Sequence, residues 1–395
     1  MKCCMGMDRV ILVVFLVFSL GVSWCYGEGD IGVAPMEKAE QAALYSAIQG
    51  FMGNWWNGSD LYPDPCGWTP IEGVSCDVYD GLWYVTSLSI GSIHDNSINC
   101  VTNVEFRAQL FELKHLKSLS FFNCFTSSRQ HPVTIPSNGW EMLAGSLEVI
   151  RVSIKLRSGE IPTNIGNLIN LKRLVMSGNW FNGHIPEIFG GLSELLILDL
   201  SRNSLSGAMP LTIGAMRSLL KLDLSNNQLE GKVPKEIGYL KNVTLLDLRK
   251  NKFSGGLTQS LQELYSLEEM VLSNNPIGGE PQEHRVAEPE KLGELQFSEW
   301  FYGKMGRRFG AWNNPNLCYP FYVISTGHMP YGVKPCKQEV TLLEPNSKSR
   351  LVTGDENKKS HVMVSLGFST SGLSEFGWIL TVEILMVLIL FNSFI

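Results

Sequence analysis

Between residues 198 and 257 the apolar and polar positions follow the same order three times. The three copies read LDLSRNSLSGAMP (198–210), LDLSNNQLEGKVP (222–234) and LDLRKNKFSGGL (246–257). Their Leu-x-Leu alternation predicts a short strand whose successive side chains point to opposite faces. We therefore expect Leu222 and Leu224 to point inward and Asp223 to point outward.

The pattern recurs with a constant period along the chain. It is marked by asparagines at equal steps: Asn179, Asn203, Asn227, Asn251 and Asn275. Less regular copies precede them, with Lys155 and Cys124 in the asparagine position and Val85 to Ile90 as the first copy. One copy cannot bury its own leucines, so about eight copies must stack on one another over residues 85–279.

Each remaining position of the pattern LxxLxLxxNxLxGxIP has a physical role. The asparagine turns the chain, and a stack of such side chains can satisfy buried backbone groups. Glycine accepts backbone conformations that other residues avoid, and proline fixes φ. The predicted fold class is an α/β repeat, a right-handed solenoid with a parallel β-sheet on its concave face.

This pattern resembles the leucine-rich repeat, in the GxIP variant of plant extracellular proteins. The resemblance covers about half of the chain, residues 85–279, and implies that a cap closes each end of the sheet. Residues 28–84 would form the N-terminal cap, with a helix over 37–52 that places Leu44, Ile48 and Phe51 on one stripe. Residues 280–340 would hold the last repeat and the C-terminal cap, which contains NNPNLC (313–318).

The N-terminus predicts a secretory signal. Lys2 and Arg9 precede the apolar run 10–20, and Cys25 and Gly27 fit a cleavage site, so residues 1–27 would be removed. A membrane anchor is the alternative, but the run is shorter than the ~20 residues that a spanning helix needs.

Six of the nine cysteines follow the signal, and an even number in a secreted chain predicts disulfides. Six cysteines allow about 15 pairings, so their number alone does not fix the connectivity. The resemblance of the caps implies the pairs Cys66–Cys76 and Cys318–Cys336, which leave Cys100 and Cys124 to each other.

The C-terminus predicts a membrane attachment. After a polar linker, residues 341–371, the chain ends in an apolar stretch within 372–395 that no Lys or Arg follows. Small residues before that stretch, with Ser371 as the candidate lipid-anchor site, are typical of a glycolipid-anchor signal. A single spanning helix is the alternative. Either attachment places most of the chain outside the cell.

The period breaks after residue 279, because Glu299 stands where the next asparagine is expected. We interpret residues 280–313 as a truncated last repeat, since terminal repeats are usually atypical. The alternative is a functional island that presents Lys304, Arg307 and Arg308 as a basic patch.

Charge and motifs exclude several functions. A net charge of −6 argues against nucleic acid as a partner. The chain lacks GxSxG, HExxH and GxxxxGK motifs, so we expect no enzyme activity, no cofactor and no metal. Two sequons predict glycosylation at Asn57 and Asn242.

The outward strand positions are the candidate ligand face. Its residues are Phe122, Arg151, Arg173, Asp199, Lys221, Asp223, Asp247 and Arg249. A charged binding strip is the functional interpretation, and an ordinary solvated face is the alternative. Phe122 and Trp180 are large apolar groups that either anchor a ligand or pack between turns.

The layout of signal, capped repeats and membrane tether resembles plant receptor-like proteins without a kinase. KMGRRFGAWNNPNLC (304–318) is similar to the Piriformospora indica-insensitive protein 2 group. This resemblance implies a cell-surface protein that binds a peptide, protein or microbial ligand and signals through a receptor kinase, in response to root-colonising fungi. The alternative is a secreted inhibitor of wall-degrading enzymes, similar to polygalacturonase inhibitors.

Overall fold

Strands from successive repeats form one ten-stranded sheet along the chain. The computed structural model describes residues 35–91, 100–101, 103–124, 135–153, 159–278 and 294–336. The order of this main sheet is β1-β2-β3-β4-β6-β8-β10-β12-β14-β15. The first pair, β1 and β2, is antiparallel, and all later neighbours are parallel. Three smaller sheets contain β9, β11 and β13; β5 and β7; and β16 and β17.

The strands of the described residues are β1 (Val74–Tyr79), β2 (Leu82–Gly91), β3 (Ser118–Phe122), β4 (Val149–Ser153), β5 (Gly159–Glu160), β6 (Arg173–Val175), β7 (Phe181–Asn182), β8 (Ile197–Asp199), β9 (Ser206–Ala208), β10 (Lys221–Asp223), β11 (Gln228–Gly231), β12 (Leu245–Asp247), β13 (Lys252–Phe253), β14 (Glu269–Val271), β15 (Phe309–Gly310), β16 (Cys318–Tyr319) and β17 (Lys334–Pro335).

The α-helices are short except for the first: α1 (Lys38–Met52), α2 (Gly58–Leu61), α3 (Glu299–Met305) and α4 (Val323–Thr326). The 3₁₀ helices are η1 (Ala108–Glu112), η2 (Trp140–Leu143), η3 (Thr163–Asn167), η4 (Glu187–Gly191), η5 (Leu211–Ala215), η6 (Lys235–Tyr239), η7 (Gln259–Glu263) and η8 (Gly306–Arg308). Within the described ranges, no helix has the length and apolar character needed to cross a lipid bilayer.

Each regular coil runs from a main-sheet strand through a turn to a 3₁₀ helix and back to the next strand. Leu198, Leu222 and Leu246 pair on neighbouring strands at the period of the sequence, and all three are fully buried. Burying a leucine side chain contributes about 2 kcal/mol, so these stacked columns are the main source of stability. The predicted leucine-rich-repeat solenoid with its parallel sheet is confirmed.

A ladder of asparagine side chains links the coils. The Asn227 amide nitrogen donates to Leu200 O at 2.9 Å in the preceding coil and to Leu224 O at 3.1 Å in its own coil. Its oxygen accepts from Leu205 N at 3.0 Å. Asn203, Asn251 and Asn275 repeat these contacts. Backbone groups that the turn leaves unpaired are thereby satisfied away from water.

Glycine allows the 3₁₀ helices of neighbouring coils to pack closely. A Cβ placed on Gly190, Gly214 or Gly238 would lie 2.6, 2.4 or 2.5 Å from a backbone oxygen of the next coil. These glycines recur at the same constant step as the ladder asparagines, so close approach on this side is part of the repeat.

The N-terminal end of the sheet is covered by α1 and β1. Leu44, Ile48 and Phe51 of α1 are buried, as their spacing predicts. Disulfides join Cys66 to Cys76, Cys100 to Cys124 and Cys318 to Cys336, the same pairs that the resemblance of the caps implies.

The main sheet and the asparagine ladder continue after the break in the period. β15 pairs with β14 through Met270 and Phe309, and Asn314 occupies the next rung of the ladder, donating to Leu272 O at 3.1 Å. The step from Asn275 to Asn314 is 39 (314 − 275), whereas the step from Asn251 to Asn275 is 24 (275 − 251). The main sheet thus has eight parallel strands up to β14, and β15 adds a ninth beyond residue 279. The interpretation of residues 280–313 as a truncated last repeat stays a prediction.

The predicted signal, residues 1–27, the linker 341–371 and the anchor signal 372–395 with Ser371 all lie outside the described residues. The described part of the chain falls within one compact unit, Met1–Glu339. The predicted boundaries of these segments stay predictions.

Candidate functional site

The candidate site is the strand face, by which we mean the outward-pointing side chains of β3 to β14 on the main sheet. Strand pairing aligns them into columns across neighbouring coils, and one such column contains Asp199, Asp223 and Asp247. Because all these strands lie in one continuous sheet, the face is a long and rigid surface.

The three aspartates have a structural role at the ends of their strands. One oxygen of each carboxylate accepts a hydrogen bond from the backbone nitrogen two residues later, at 3.0 to 3.2 Å. In two of them the same oxygen also accepts from the Ser201 or Ser225 hydroxyl at 2.7 Å. The acidic column therefore stabilises the turns and leaves only its second oxygens for a ligand.

Two cations neutralise much of this column. The Lys221 ammonium lies 2.9 Å from Asp199 and 3.5 Å from Asp223. Burial by itself lowers the pKa of Lys221, but the hydrogen bonds and charges of both aspartates outweigh it and raise the pKa above the ordinary value. Arg249 lies 3.1 Å from Asp247. The acidic column and its cations thus form a mostly balanced strip.

Asp247 is the aspartate of this column that is buried, with 5% of its surface exposed. Burial raises the pKa of its carboxyl to about 6, and the nearby charges of Asp223 and Glu269 act in the same direction. The backbone hydrogen bond and the positive charge of Arg249 oppose this rise without cancelling it. This carboxyl therefore changes its charge in mildly acidic solution.

Two arginines stand apart from this balance. Arg151 on β4 and Arg173 on β6 are diagonal neighbours, since Arg151 pairs with Val175 and Arg173 pairs with Val149. Within the described residues neither has a carboxylate within 4 Å. Burial, and then the charge of Arg173, lower the pKa of Arg151. The pair is therefore a region of uncompensated positive charge on the strand face.

Lys172 provides a contrast next to this pair. Its ammonium lies 2.9 Å from the Glu148 carboxylate in an exposed ion pair. An exposed pair of this kind contributes little to stability. The arginines, in contrast, have polar groups free to meet a ligand.

The predicted apolar residues occupy different positions. Phe122 ends β3 opposite Ser153 and is partly exposed at the edge of the strand face. Trp180 lies in the turn between β6 and β7, outside the main sheet, with 57% of its surface exposed. Of the two, Phe122 is placed to contact a ligand on the strand face.

One aromatic group on this side was not predicted. Trp312 follows β15, and its ring lies 5.6 Å from that of Tyr331. Asn274 N donates to Trp312 O at 2.9 Å, so this residue continues the strand face at its C-terminal end. The break in the period hides it in the sequence.

Two of the three basic residues of the alternative interpretation, Lys304 and Arg308, make local contacts. Lys304 lies over the Trp300 ring at 5.3 Å and donates to Leu264 O at 3.3 Å. Arg308 donates to Lys304 O at 3.2 Å. Burial, and then the charge of Arg308, lower the pKa of Lys304. The bonds of Lys304 to Leu264 O and Tyr265 O attach α3 to the preceding coil.

The sequon asparagines Asn57 and Asn242 are both exposed, so a glycan could be attached at either. In the part of the chain that the structure describes, no group of three or more His, Cys, Asp or Glu side chains is arranged to hold a metal ion.

Comparison with known proteins agrees with the repeat. Residues 169–229 match the family model described as leucine rich repeat. The chain is 55% identical over 159 residues to Piriformospora indica-insensitive protein 2 of Arabidopsis thaliana, covering 39% of this chain and 36% of that protein.

Two further relatives from Arabidopsis thaliana are more distant. Receptor like protein 29 is 33% identical over 153 residues, which cover 37% of this chain and 31% of that protein. Protein TOO MANY MOUTHS is 33% identical over 144 residues, which cover 35% of this chain and 27% of that protein. The matched part thus spans about a third of the length of these relatives. The resemblance to plant leucine-rich-repeat receptor-like proteins is confirmed, and no enzyme is among these matches.

Proposed function

We propose that this protein is a plant cell-surface receptor-like protein whose strand face binds a peptide or protein ligand. The similarity to Receptor like protein 29 supports a receptor-like role. The similarity to Piriformospora indica-insensitive protein 2 supports the finer proposal that the ligand is encountered during colonisation of the root by fungi.

The observation that carries this proposal is the uncompensated pair Arg151 and Arg173. Arg151 is partly buried and Arg173 is exposed. Leaving the partly buried charge of Arg151 without a partner costs free energy, and a ligand that brings an acidic group removes this cost. The neighbouring sheet is rigid, so little conformational entropy is lost when a ligand binds. A ligand with an acidic group near the arginines fits this face.

Location supports the same function. Three disulfides are typical of proteins that fold in an oxidising compartment. Together with the predicted signal, they favour the extracellular face of the plasma membrane, where the predicted lipid anchor would hold the chain. A lipid anchor does not cross the membrane. We therefore propose that a partner receptor kinase passes ligand binding on to the cell interior.

The proposal is tested by ligand capture with matched variants. Wild-type protein, Arg151→Gln/Arg173→Gln and the control Lys172→Gln are displayed on plant cells, and extracellular peptides and receptor kinases bound to each are identified by mass spectrometry. We expect wild type and control to retain a common ligand and kinase that the double variant loses. Equal capture by all three would contradict a role for the arginines.

Two further measurements address the anchor and the alternative function. Release of the protein from membranes by a phospholipase specific for glycolipid anchors would support the lipid tether. Free protein in the wall fraction that inhibits polygalacturonase would favour the inhibitor instead.

A further inference from the structure

One column of the strand face alternates between apolar and charged side chains from coil to coil. Strand pairing places its six members side by side on β4, β6, β8, β10, β12 and β14. In that order they are Val149, Arg173, Ile197, Lys221, Leu245 and Glu269. We call this set the alternating column. It adjoins the column of aspartates described above.

The three apolar members of the alternating column reach the surface. Val149, Ile197 and Leu245 are each half-buried. The leucines that follow two of them, Leu198 and Leu246, are fully buried. Strand alternation explains this difference, because successive side chains point to opposite faces. The strand face therefore offers three separate apolar contacts, with one charged residue between each two.

The sheet sets the spacing of these apolar contacts. Neighbouring strands lie ~4.8 Å apart, so apolar members on alternate strands repeat about every 9.6 Å. A polyproline II helix rises ~3.1 Å per residue with three residues per turn, so every third side chain returns to one face after about 9.3 Å. Over the two steps from Val149 to Leu245 the two repeats differ by about 0.6 Å in total.

Other regular peptide conformations fit this spacing less well. In a β-strand every second side chain shares a face, and the repeat is about 6.7 Å. In an α-helix a side chain about seven positions later returns to the same face after about 10.5 Å, and the mismatch grows to about 1.8 Å over two steps. Of the regular conformations, polyproline II therefore matches the alternating column best.

The charged members of the column indicate where the charges of a ligand belong. Arg173, between the first and second apolar members, is exposed and has no carboxylate of the described residues within 4 Å. Lys221, between the second and third, is already held by Asp199 and Asp223. Glu269, beyond the third, is exposed. An acidic residue beside Arg173 and a basic residue beside Glu269 would complement this order.

From these matches we propose that the ligand segment on the strand face is a polyproline II helix with an apolar residue at every third position. The inference rests on the proposed receptor function and specifies its ligand. The column from β4 to β14 spans about 24 Å, which a polyproline II segment of about nine residues covers. Such a segment is extended before it binds, so it loses less conformational entropy than a flexible peptide does.

The inference is tested with full-length protein and fluorescein-labelled peptide amides, whose binding is measured by fluorescence anisotropy. The period-three peptide is Leu-Glu-Pro-Leu-Pro-Pro-Leu-Pro-Lys, and its reversed sequence tests the other chain direction. The period-two isomer, Leu-Glu-Leu-Pro-Leu-Pro-Pro-Pro-Lys, keeps the composition and both charges but moves the leucines to every second position. We expect the period-three peptide, in one of its two directions, to bind at least tenfold more tightly than this isomer.

Matched variants locate the binding. Ile197→Thr and Leu245→Thr each replace an apolar contact by a polar side chain that suits a strand, and each should weaken the period-three peptide roughly fivefold. Leu220→Thr makes the same kind of change just before β10, outside the strand face, and should bind as wild type does. Partial unfolding would weaken both peptides equally, whereas a lost apolar contact reduces the preference for the period-three peptide.

Three results would overturn the inference. The first is a period-three peptide that, in both directions, binds no better than its isomer, or does not bind at millimolar concentration. The second is binding that Ile197→Thr and Leu245→Thr leave unchanged. The third is a ligand captured on plant cells that lacks an apolar residue at every third position. This last result would leave the receptor function standing, so failure of the inference and failure of that function are distinguishable.

Discussion

At the scale of single residues, the molecule depends on a few polar side chains whose partners are backbone groups. The ladder asparagines and the strand-end aspartates both bond to backbone, but they differ in charge and burial. Asparagine satisfies buried groups without a charge. Aspartate does so while keeping an ionisable group near the strand face, which makes it sensitive to pH.

Replacing a ladder residue should be costly. Asn227→Ala would leave Leu200 O, Leu224 O and Leu205 N without their present partner. Unsatisfied buried groups cost about 1–3 kcal/mol each, so we expect a loss of about 3 kcal/mol after partial relaxation. Chemical denaturation measures this loss. The adjacent Gln228→Ala is the control, because Gln228 is exposed and its replacement should cost about 0.5 kcal/mol or less.

Asp247 should make stability depend on pH. Its folded pKa of about 6 exceeds the ordinary 3.8, so the folded state binds the proton more tightly than the unfolded state does. Its contribution is fully present below pH 3.8 and is lost as the pH rises through about 6. The difference corresponds to about 3 kcal/mol. In Asp247→Asn the free energy of unfolding should therefore depend less on pH between 3.8 and about 6 than it does in wild type.

Two further acidic residues bear on this measurement, and one of them provides the control. Burial also raises the pKa of Glu40 to about 6, against the opposing hydrogen bond from Val85 N, so Asp247→Asn should keep part of the slope. Glu230→Gln removes an exposed acid and should leave the pH profile as in wild type. An unchanged slope in Asp247→Asn would contradict the assignment.

At the scale of secondary-structure elements, the coil is defined by two packing surfaces, the strands on one side and the 3₁₀ helices on the other. The strands are spaced by backbone hydrogen bonds. The 3₁₀ helices are spaced by the glycines that recur in them, since a side chain at these positions would meet the next coil.

A methyl group on this side should therefore be harmful. In Gly214→Ala the new Cβ would lie 2.4 Å from Glu236 O. We expect a loss of about 1–3 kcal/mol through overpacking, measured as a lower midpoint of thermal unfolding. Gly145→Ala is the matched control, because no atom lies within 4 Å of its Cβ position. A similar loss in both variants would contradict the packing argument.

The regular coils could be predicted from the sequence because each one contains its whole pattern within a single period. A last, atypical repeat was expected after residue 279, but the position of its strand could not be predicted, since the step from Asn275 to Asn314 is longer than one period. The columns of the strand face were also predictable from the period. The ion pairs of Lys221 and the isolation of Arg151 were not, because they depend on which side chains meet across coils.

At the scale of the whole described solenoid, each coil contacts mainly its two neighbours, so stability is close to a sum of local terms. A substitution that destabilises one end of the solenoid should therefore leave the stability of distant coils unchanged. The Cys318–Cys336 disulfide and the adjacent β16–β17 pair are the place to test this, because they close the C-terminal cap.

Opening this disulfide should loosen the last coils alone. Removing a link of this loop length costs about 3 kcal/mol. In Cys318→Ser/Cys336→Ser we expect faster amide hydrogen exchange over residues 294–336 and unchanged exchange in coils around Asn227. Faster exchange throughout the sheet would instead indicate one cooperative unit. Wild-type protein, in which this disulfide is intact, is the reference.

The asparagine ladder bears on how such a chain can change over evolutionary time. Each rung bonds only to its own coil and the one before it, so its requirements are met wherever a coil follows another of the same kind. An in-frame duplication of one period would insert a coil that already carries its own ladder asparagine. It would lengthen the sheet by ~4.8 Å while the capped termini kept their existing neighbours.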